Sequence, residues 1–197
     1  MKISTSKQEI IDLIKSWIVI TIIFTILVEK FNYFNLASIV STKETILISA
    51  LTVGIGFLLH ELAHKVVAQK YGCLAEFRSS DSMLVLALAM AYFLGFVFIA
   101  PGAVYIFGNV GLARNGRISL AGPLTNLILA VIFFIIEIFT TGFLQIFASY
   151  GFMINSWLAL FNLIPVWNFD GKKILEWNKL YYFLAVIISI VFVFFLR

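Results

Sequence analysis

The stretch from Thr45 to Ala68, TILISALTVGIGFLLHELAHKVVA, decides how this chain is interpreted. It is mostly apolar and long enough for a helix to cross a hydrocarbon core, which takes about 20 residues. It nevertheless contains both histidines of the chain, in the segment His60-Glu61-Leu62-Ala63-His64. The stretch therefore predicts a membrane-spanning helix with ionisable side chains in its interior.

The spacing of four residues places His60 and His64 on one face of a helix, where two imidazoles can bind the same zinc ion. Glu61 can then reach a metal-bound water as a general base. A charged side chain at the centre of a membrane helix costs roughly 2.5–3.5 kcal/mol on insertion scales, and a zinc ion would compensate for that cost. The alternative is that the three side chains only form hydrogen bonds to neighbouring helices.

A third protein ligand is needed, because tetrahedral catalytic zinc takes three protein ligands and keeps one position for water. Since the chain has no third histidine, this ligand must be a carboxylate. Asp170 has the most suitable context, because Pro165 interrupts the preceding helix and Gly171 permits a close backbone approach. Alternatively, Asp170 is a turn or helix-capping residue. The other candidates are Glu76, Asp81, Glu137 and Glu176.

The composition indicates a membrane protein. Hydrophobic residues make up 62% of the chain, charged residues only 12%, and the mean hydropathy is +1.05. A soluble domain of this length needs more polar surface. The net charge of +4 indicates membrane topology and not nucleic-acid binding, because the basic residues lie in short loops beside apolar runs. We expect one transmembrane domain over residues 1–197 and no nucleic-acid partner.

The apolar runs predict an all-α polytopic membrane protein with five to six transmembrane helices. Besides the first stretch, they cover residues 10–28, 83–107, 118–140, 143–164 and 180–196. The run at 83–107 differs from the others, because it contains Gly95, Pro101 and Gly102 and ends in the strand-like segment 103–107. It predicts a short re-entrant or β segment after the histidine-bearing helix. A full crossing is the alternative.

The distribution of Lys and Arg favours the re-entrant interpretation. If the run at 83–107 returns to the side it came from, eleven of the 14 basic residues lie on one side of the membrane and three on the other. A full crossing divides them equally, seven and seven. Basic residues are enriched in cytoplasmic loops, so the asymmetry predicts a cytoplasmic N-terminus. We expect a multi-pass protein of the cell membrane.

Two asparagines within apolar runs are further candidates. The amide of Asn162 can donate to a developing oxyanion of a peptide carbonyl, or it can bond to the free carbonyls beside Pro165. Asn126 is expected to form hydrogen bonds between helices. Gly54 and Gly56, which precede His60, are expected to permit close approach of helices.

Three motifs together resemble the site-2 protease family of intramembrane zinc metalloproteases. They are His60-Glu61-Leu62-Ala63-His64, Ala121-Gly122-Pro123-Leu124-Thr125-Asn126, and Asn162-Leu163-Ile164-Pro165 with Phe169-Asp170-Gly171. The resemblance implies a three-helix catalytic core at about 45–178, with the zinc nearer the cytosolic face. It also implies His60, His64 and Asp170 as ligands of one zinc ion per chain and Glu61 as acid and base. The family's usual Leu-Asp-Gly is Phe-Asp-Gly here.

The expected function is therefore hydrolysis of peptide bonds in transmembrane segments of membrane-protein substrates, within the lipid bilayer. Two alternatives remain. One is a catalytically inactive zinc-binding membrane scaffold, which would not need Glu61 beside the metal. The other is a different membrane zinc endopeptidase, such as a prenyl-protein protease, which would need a glutamate ligand on a downstream helix.

Overall fold

The computed structural model describes residues 4–31, 39–98, 101–108 and 110–196, and these are mostly helical. Four helical segments are long and apolar enough to cross a membrane: α1 (Lys7–Phe31), the segment Thr42–Lys70, α5 (Leu112–Phe139) and α6 (Phe143–Asn162). Two shorter apolar helices are α4 (Asp81–Leu94) and α8 (Lys179–Phe194). The predicted class, an all-α polytopic membrane protein, is confirmed.

The segment Thr42–Lys70 consists of α2 (Thr42–Ser49), a π-helical turn (Ala50–Gly54) and α3 (Ile55–Lys70). The indole N–H of Trp17 on α1 donates to the carbonyl of Ala50 at 2.9 Å, within this π-helical turn. A Cβ on Gly54 would lie 2.8 Å from the same indole ring, and one on Gly56 would lie 2.5 Å from Asn155 Oδ1. Both glycines therefore permit close helix packing, as the sequence predicts.

The run at 83–107 does not form one continuous helix. It contains most of α4 and the strand β2 (Gly102–Phe107), which pairs antiparallel with β1 (Leu74–Ser79). Ser79 lies opposite Gly102, so the chain returns to the place where it left the sheet. Helix α4 has 14 residues, or about 21 Å, less than the roughly 30 Å of a hydrocarbon core. The predicted strand at 103–107 is confirmed. Its pairing with β1 places the two ends of the intervening segment side by side, as a re-entrant segment would need.

Helix α5 contacts α3, α6 and the short helix α7 (Asp170–Trp177). Small residues permit these contacts. A Cβ on Gly151 of α6 would lie 2.5 Å from the ring of Phe133 on α5, and one on Gly116 of α5 would lie 2.2 Å from Trp177 Cβ on α7. This packing brings α3, α5 and the start of α7 together around the two histidines.

Candidate metal centre

Three predicted ligands converge inside the helical bundle. The Nε2 atoms of His60 and His64 lie 3.0 Å apart. Asp170 Oδ2 lies 3.3 Å from His60 Nε2 and 3.1 Å from His64 Nε2. All three residues are buried. They form the group of His, Cys, Asp and Glu side chains, among the described residues, that could hold a metal ion.

The geometry of this group suits zinc. With zinc–nitrogen and zinc–oxygen distances of about 2.0–2.2 Å, tetrahedral geometry separates two donor atoms by about 3.3–3.6 Å. The three separations in the structure, 3.0, 3.1 and 3.3 Å, lie at or slightly below the lower end of this range. Two imidazoles and one carboxylate also match the donor set of catalytic zinc sites. The residues therefore fit a single zinc ion with a fourth position for water.

Each imidazole is oriented by a hydrogen bond from its other ring nitrogen. His60 Nδ1 lies 2.6 Å from Asn126 Oδ1, and His64 Nδ1 lies 2.7 Å from the carbonyl oxygen of Ile118. Both partners accept, so each neutral ring carries its proton on Nδ1. The lone pairs of the two Nε2 atoms are then directed at the metal position, as is usual for histidine ligands.

A chain of buried amides fixes Asn126 in turn. Its Nδ2 donates to Asn155 Oδ1 at 3.0 Å and to the Gly56 carbonyl at 3.3 Å, and Asn155 Nδ2 donates to the Gly151 carbonyl at 2.9 Å. The predicted role of Asn126 in bonding between helices is confirmed, and the structure adds that it orients His60, one of the residues that could hold a metal. Asn155 was missed by sequence reasoning, although an amide within an apolar helix is itself a signal of such bonding.

Gly122 lies directly against the two imidazoles. A Cβ at this position would lie 2.4 Å from His64 Nε2 and 2.6 Å from His60 Nε2. Both distances are shorter than a van der Waals contact, and both rings are already fixed through their Nδ1 atoms. Sequence reasoning included Gly122 in a motif but assigned it no role. A glycine inside an apolar helix is the sequence signal that could have indicated this close contact.

Replacing Gly122 with Ala is expected to weaken zinc binding about 10–100-fold, the usual effect of disturbing groups that orient metal ligands. The added methyl group displaces both Nε2 atoms. Zinc titration of the purified metal-free protein with a competing chelator measures the change. Gly111→Ala is the matched control, because a Cβ there meets no atom within 4 Å. Equal zinc affinity in the two variants would contradict this account.

Asp170 is placed by close packing at the start of α7. Its neighbour Gly171 lies so near the preceding turn that a Cβ would be 2.0 Å from the Leu163 carbonyl oxygen. This confirms the close backbone approach predicted at Gly171. The following turn is anchored by Ile174, which is fully buried. Burial raises the pKa of Asp170, but hydrogen bonds and positive charge from His64 and His60, when these rings are protonated, lower it more, so the pKa lies below its ordinary value. A metal would bind this side chain as the carboxylate.

Glu61 lies beside the metal ligands and is buried, with 8% of its surface exposed. Its Oε2 accepts a hydrogen bond from the backbone N–H of Val104 in β2 at 3.1 Å. Glu61 and His60 also line a largely apolar cavity of about 360 Å³, bordered by α1, the residues after α4, and α6. A carboxylate at the end of an apolar cavity and beside a metal site is suitably placed to act on bound water.

The other candidate carboxylates lie away from this group. Glu76 accepts from Arg78 at 2.6 Å, and Asp81 pairs with Lys15. Glu137 borders a second cavity with Gln145 and Ser149, and Glu176 is exposed on α7.

Asn162 lines the same cavity as Glu61 and His60. Its Nδ2 donates at 2.8 Å to the carbonyl of Leu158, one turn earlier in α6, and this carbonyl is not among the free carbonyls beside Pro165 that the sequence suggested. The amide carries a second hydrogen. A role for Asn162 in stabilising an oxyanion therefore stays a prediction.

The fold and the site together define a helical, membrane-type protein with a buried His-His-Asp group that could hold a metal ion. A protein of Methanocaldococcus jannaschii named "Putative zinc metalloprotease MJ0611" is 44% identical over 176 residues, covering 88% of this chain and 86% of the relative. "Putative zinc metalloprotease YwhC" of Bacillus subtilis is 31% identical over 170 residues, covering 75% of this chain and 73% of the relative. "Zinc metalloprotease MJ0392" of M. jannaschii is 29% identical over 126 residues, covering 62% of this chain and 31% of the relative.

No family model and no solved structure matches the chain. The extent of the similarity to the first relative nevertheless shows the family. The chain belongs to the zinc metalloproteases that these relatives represent, and its cofactor is zinc.

Proposed function

We propose that this protein is an intramembrane protease of the site-2 type, which hydrolyses peptide bonds in transmembrane segments of membrane-protein substrates. One observation carries the proposal. The metal ligands His60 and His64, and Glu61 between them, lie within a helical segment that is long and apolar enough to span a bilayer. His60 and Glu61 also border an apolar cavity, which suits an apolar peptide better than a polar one.

The residues around the site can then be assigned roles. A bound zinc ion supplies Lewis acidity, which lowers the pKa of a coordinated water to about 7. Glu61 accepts the proton of the attacking water and delivers it to the leaving amine. Asn126 and the Ile118 carbonyl keep both imidazoles neutral and aligned. The second amide hydrogen of Asn162 donates to the substrate carbonyl oxygen as negative charge develops on it.

We propose residues 1–197 as a single protease domain, with its catalytic core at about 45–178 and the lipid bilayer as its surroundings. The substrate is a membrane protein whose transmembrane helix unwinds locally, because a helix engages its own backbone carbonyls. The cavity borders Glu61 on one side and is lined elsewhere by aliphatic and aromatic side chains, which include Phe24, Phe57, Trp157 and Phe161. Such a lining suits an unwound apolar segment.

A direct test uses a synthetic peptide with one apolar segment of about 20 residues, interrupted by Gly-Pro so that backbone carbonyls are free. We refer to it as the model peptide. Purified zinc-loaded protein and the model peptide are reconstituted in phosphatidylcholine–phosphatidylglycerol vesicles, and mass spectrometry locates the cut. We expect cleavage inside the apolar segment, lost with His60→Ala.

Other results of this assay would point to the alternatives. Cleavage of a soluble or prenylated peptide but not of the model peptide would contradict intramembrane specificity. Stoichiometric zinc without cleavage of any peptide would favour the inactive scaffold.

We also propose that the N-terminus is cytoplasmic and that the segment between β1 and β2 is re-entrant. The antiparallel pairing of Ser79 with Gly102 supports this topology, because it brings both ends of the segment to one end of the molecule. In intact cells carrying Cys73→Ala, single cysteines at Ser80 and Asn115 should react with an impermeant thiol reagent only after the membrane is opened. Labelling of one site alone in intact cells would show that the segment crosses the bilayer.

A further inference from the structure

The outer edge of strand β2 lies against Glu61. The backbone N–H of Val104 donates to Glu61 Oε2 at 3.1 Å. A hydrogen bond from an amide to a carboxylate is charge-assisted and stronger than one between neutral groups. Since Glu61 is buried, this contact can restrict a side chain that otherwise has several rotamers.

The register of the sheet shows that this N–H is not needed for strand pairing. Val104 lies opposite Phe77, and the Phe77 N–H donates at 3.0 Å to Glu9 Oε1 on α1. Both amides of this cross-strand pair therefore point away from the partner strand, as in a pair without mutual hydrogen bonds. This pair thus presents one outward N–H at each edge of the sheet, and a buried carboxylate accepts each of the two.

The second carboxylate connects the sheet back to α3. Glu9 Oε2 accepts from Lys65 Nζ, and both side chains are almost fully buried. Lys65 follows Glu61 by four residues, so both lie on one face of α3. Phe57 precedes Glu61 by four residues, and its ring contacts that of Phe77, with 6.0 Å between the centroids. One face of α3 therefore contacts the sheet in three ways. Glu61 accepts from the β2 edge, Phe57 packs on Phe77 of β1, and Lys65 is joined to the β1 edge through Glu9.

We propose that the backbone amide of Val104 is a positioning group that holds Glu61 in its catalytic orientation, while the Glu9–Lys65 ion pair fixes the sheet that carries this amide. The inference rests on the proposed role of Glu61 as the general base. Val104 acts through Glu61 and not on the substrate. Its loss should therefore lower kcat and leave KM and zinc content largely unchanged.

Val104→Pro tests the proposal, because proline removes the N–H and is tolerated on a strand edge where that N–H is not part of the ladder. In zinc-loaded full-length protein acting on the model peptide, we expect kcat to fall about 10–100-fold, as for misplacement of a catalytic group. KM should stay within about threefold of the wild-type value. Ile106→Pro is the matched control, because it removes the next outward amide and a similar branched side chain. It should keep kcat within about threefold of wild type.

A second measurement is independent of activity. Hydrogen exchange of the Val104 amide in 15N-valine-labelled, zinc-loaded protein should become about 10–100-fold faster in Glu61→Ala, because the charged acceptor is removed. The Ile106 amide, measured in 15N-isoleucine-labelled protein, should change much less. This measurement tests the hydrogen bond between the Val104 amide and Glu61 even if Val104→Pro fails to fold.

The outcomes separate this inference from the proposed function. If Glu61→Gln abolishes cleavage while Val104→Pro keeps wild-type kcat, Glu61 remains the base and the positioning role is refuted. An equal loss of kcat in Ile106→Pro would also refute it, because the effect would then belong to the strand as a whole. If Glu61→Gln itself remains active, Glu61 is not the general base and the inference fails with that assignment, although the protease function stands. If the wild type does not cleave the model peptide, the proposed function fails, while the exchange measurement still tests the contact between Val104 and Glu61.

Discussion

Glu61→Gln is expected to keep zinc bound at the wild-type level and to lower the rate of model-peptide cleavage by about 10²–10⁴-fold, the usual contribution of a general acid–base group. Glutamine preserves the size of the side chain and can still accept from the Val104 N–H, so the structure should be retained. It cannot take a proton from water. The rate is measured in vesicles, and zinc is measured by elemental analysis of the same preparation.

The control for this substitution is Glu137→Gln, which removes a carboxylate from another membrane-spanning helix, at a place away from the metal ligands. It should leave both zinc content and rate close to those of the wild type. A rate within a few-fold of wild type for Glu61→Gln would exclude Glu61 as the general base. Loss of zinc from this variant would instead make Glu61 a ligand.

Asp170→Ala is expected to lower zinc affinity by about 10²–10³-fold. Zinc bound by four protein ligands in small domains contributes about 10–16 kcal/mol, which is about 2.5–4 kcal/mol for each ligand when shared equally. Asp170 is one of three protein donors here, and its Oδ2 lies within 3.3 Å of both histidine Nε2 atoms. Without it, two imidazoles remain, and activity should disappear at zinc concentrations that saturate the wild type.

Glu176→Ala is the matched control, because Glu176 lies on the same short helix but is exposed. It should bind zinc as the wild type does. A competition titration with a chromophoric chelator gives both affinities. Stoichiometric tight zinc in Asp170→Ala, together with its loss in Glu137→Ala or Glu176→Ala, would show that the ligand assignment is wrong.

The relation between sequence and structure differs from one part of the molecule to another. His60, Glu61 and His64 could be predicted as a unit because they lie within one turn of one helix, where the period of 3.6 residues determines which side chains share a face. The membrane class followed from composition, since lipid-facing helices need apolar surface all round. Asp170 could be predicted less directly, from Pro165 and Gly171 around it and from the lack of a third histidine.

Contacts between distant segments could not be derived in this way. Lys65 follows the two histidines within the same apolar stretch, but it is buried against Glu9, 56 residues away. Glu76 is only a candidate ligand by sequence, but it lies in the strand that pairs with β2. Neither segment carries a local signal of its partner, because strand register and ion pairing depend on where the packing of other helices places each chain segment.

The sequence by itself determined the class of protein, the two histidines that could hold a metal, the carboxylate between them and the strand at 103–107. These features depend on composition and on spacing within one element. Only the tertiary structure decided which groups orient the site: Asn126 and the Ile118 carbonyl on the imidazoles, Gly122 against them, and the Val104 amide on Glu61. Each of these contacts depends on the rotation and offset of one helix or strand relative to another. Those quantities are set by the packing of many side chains at once and by no single motif.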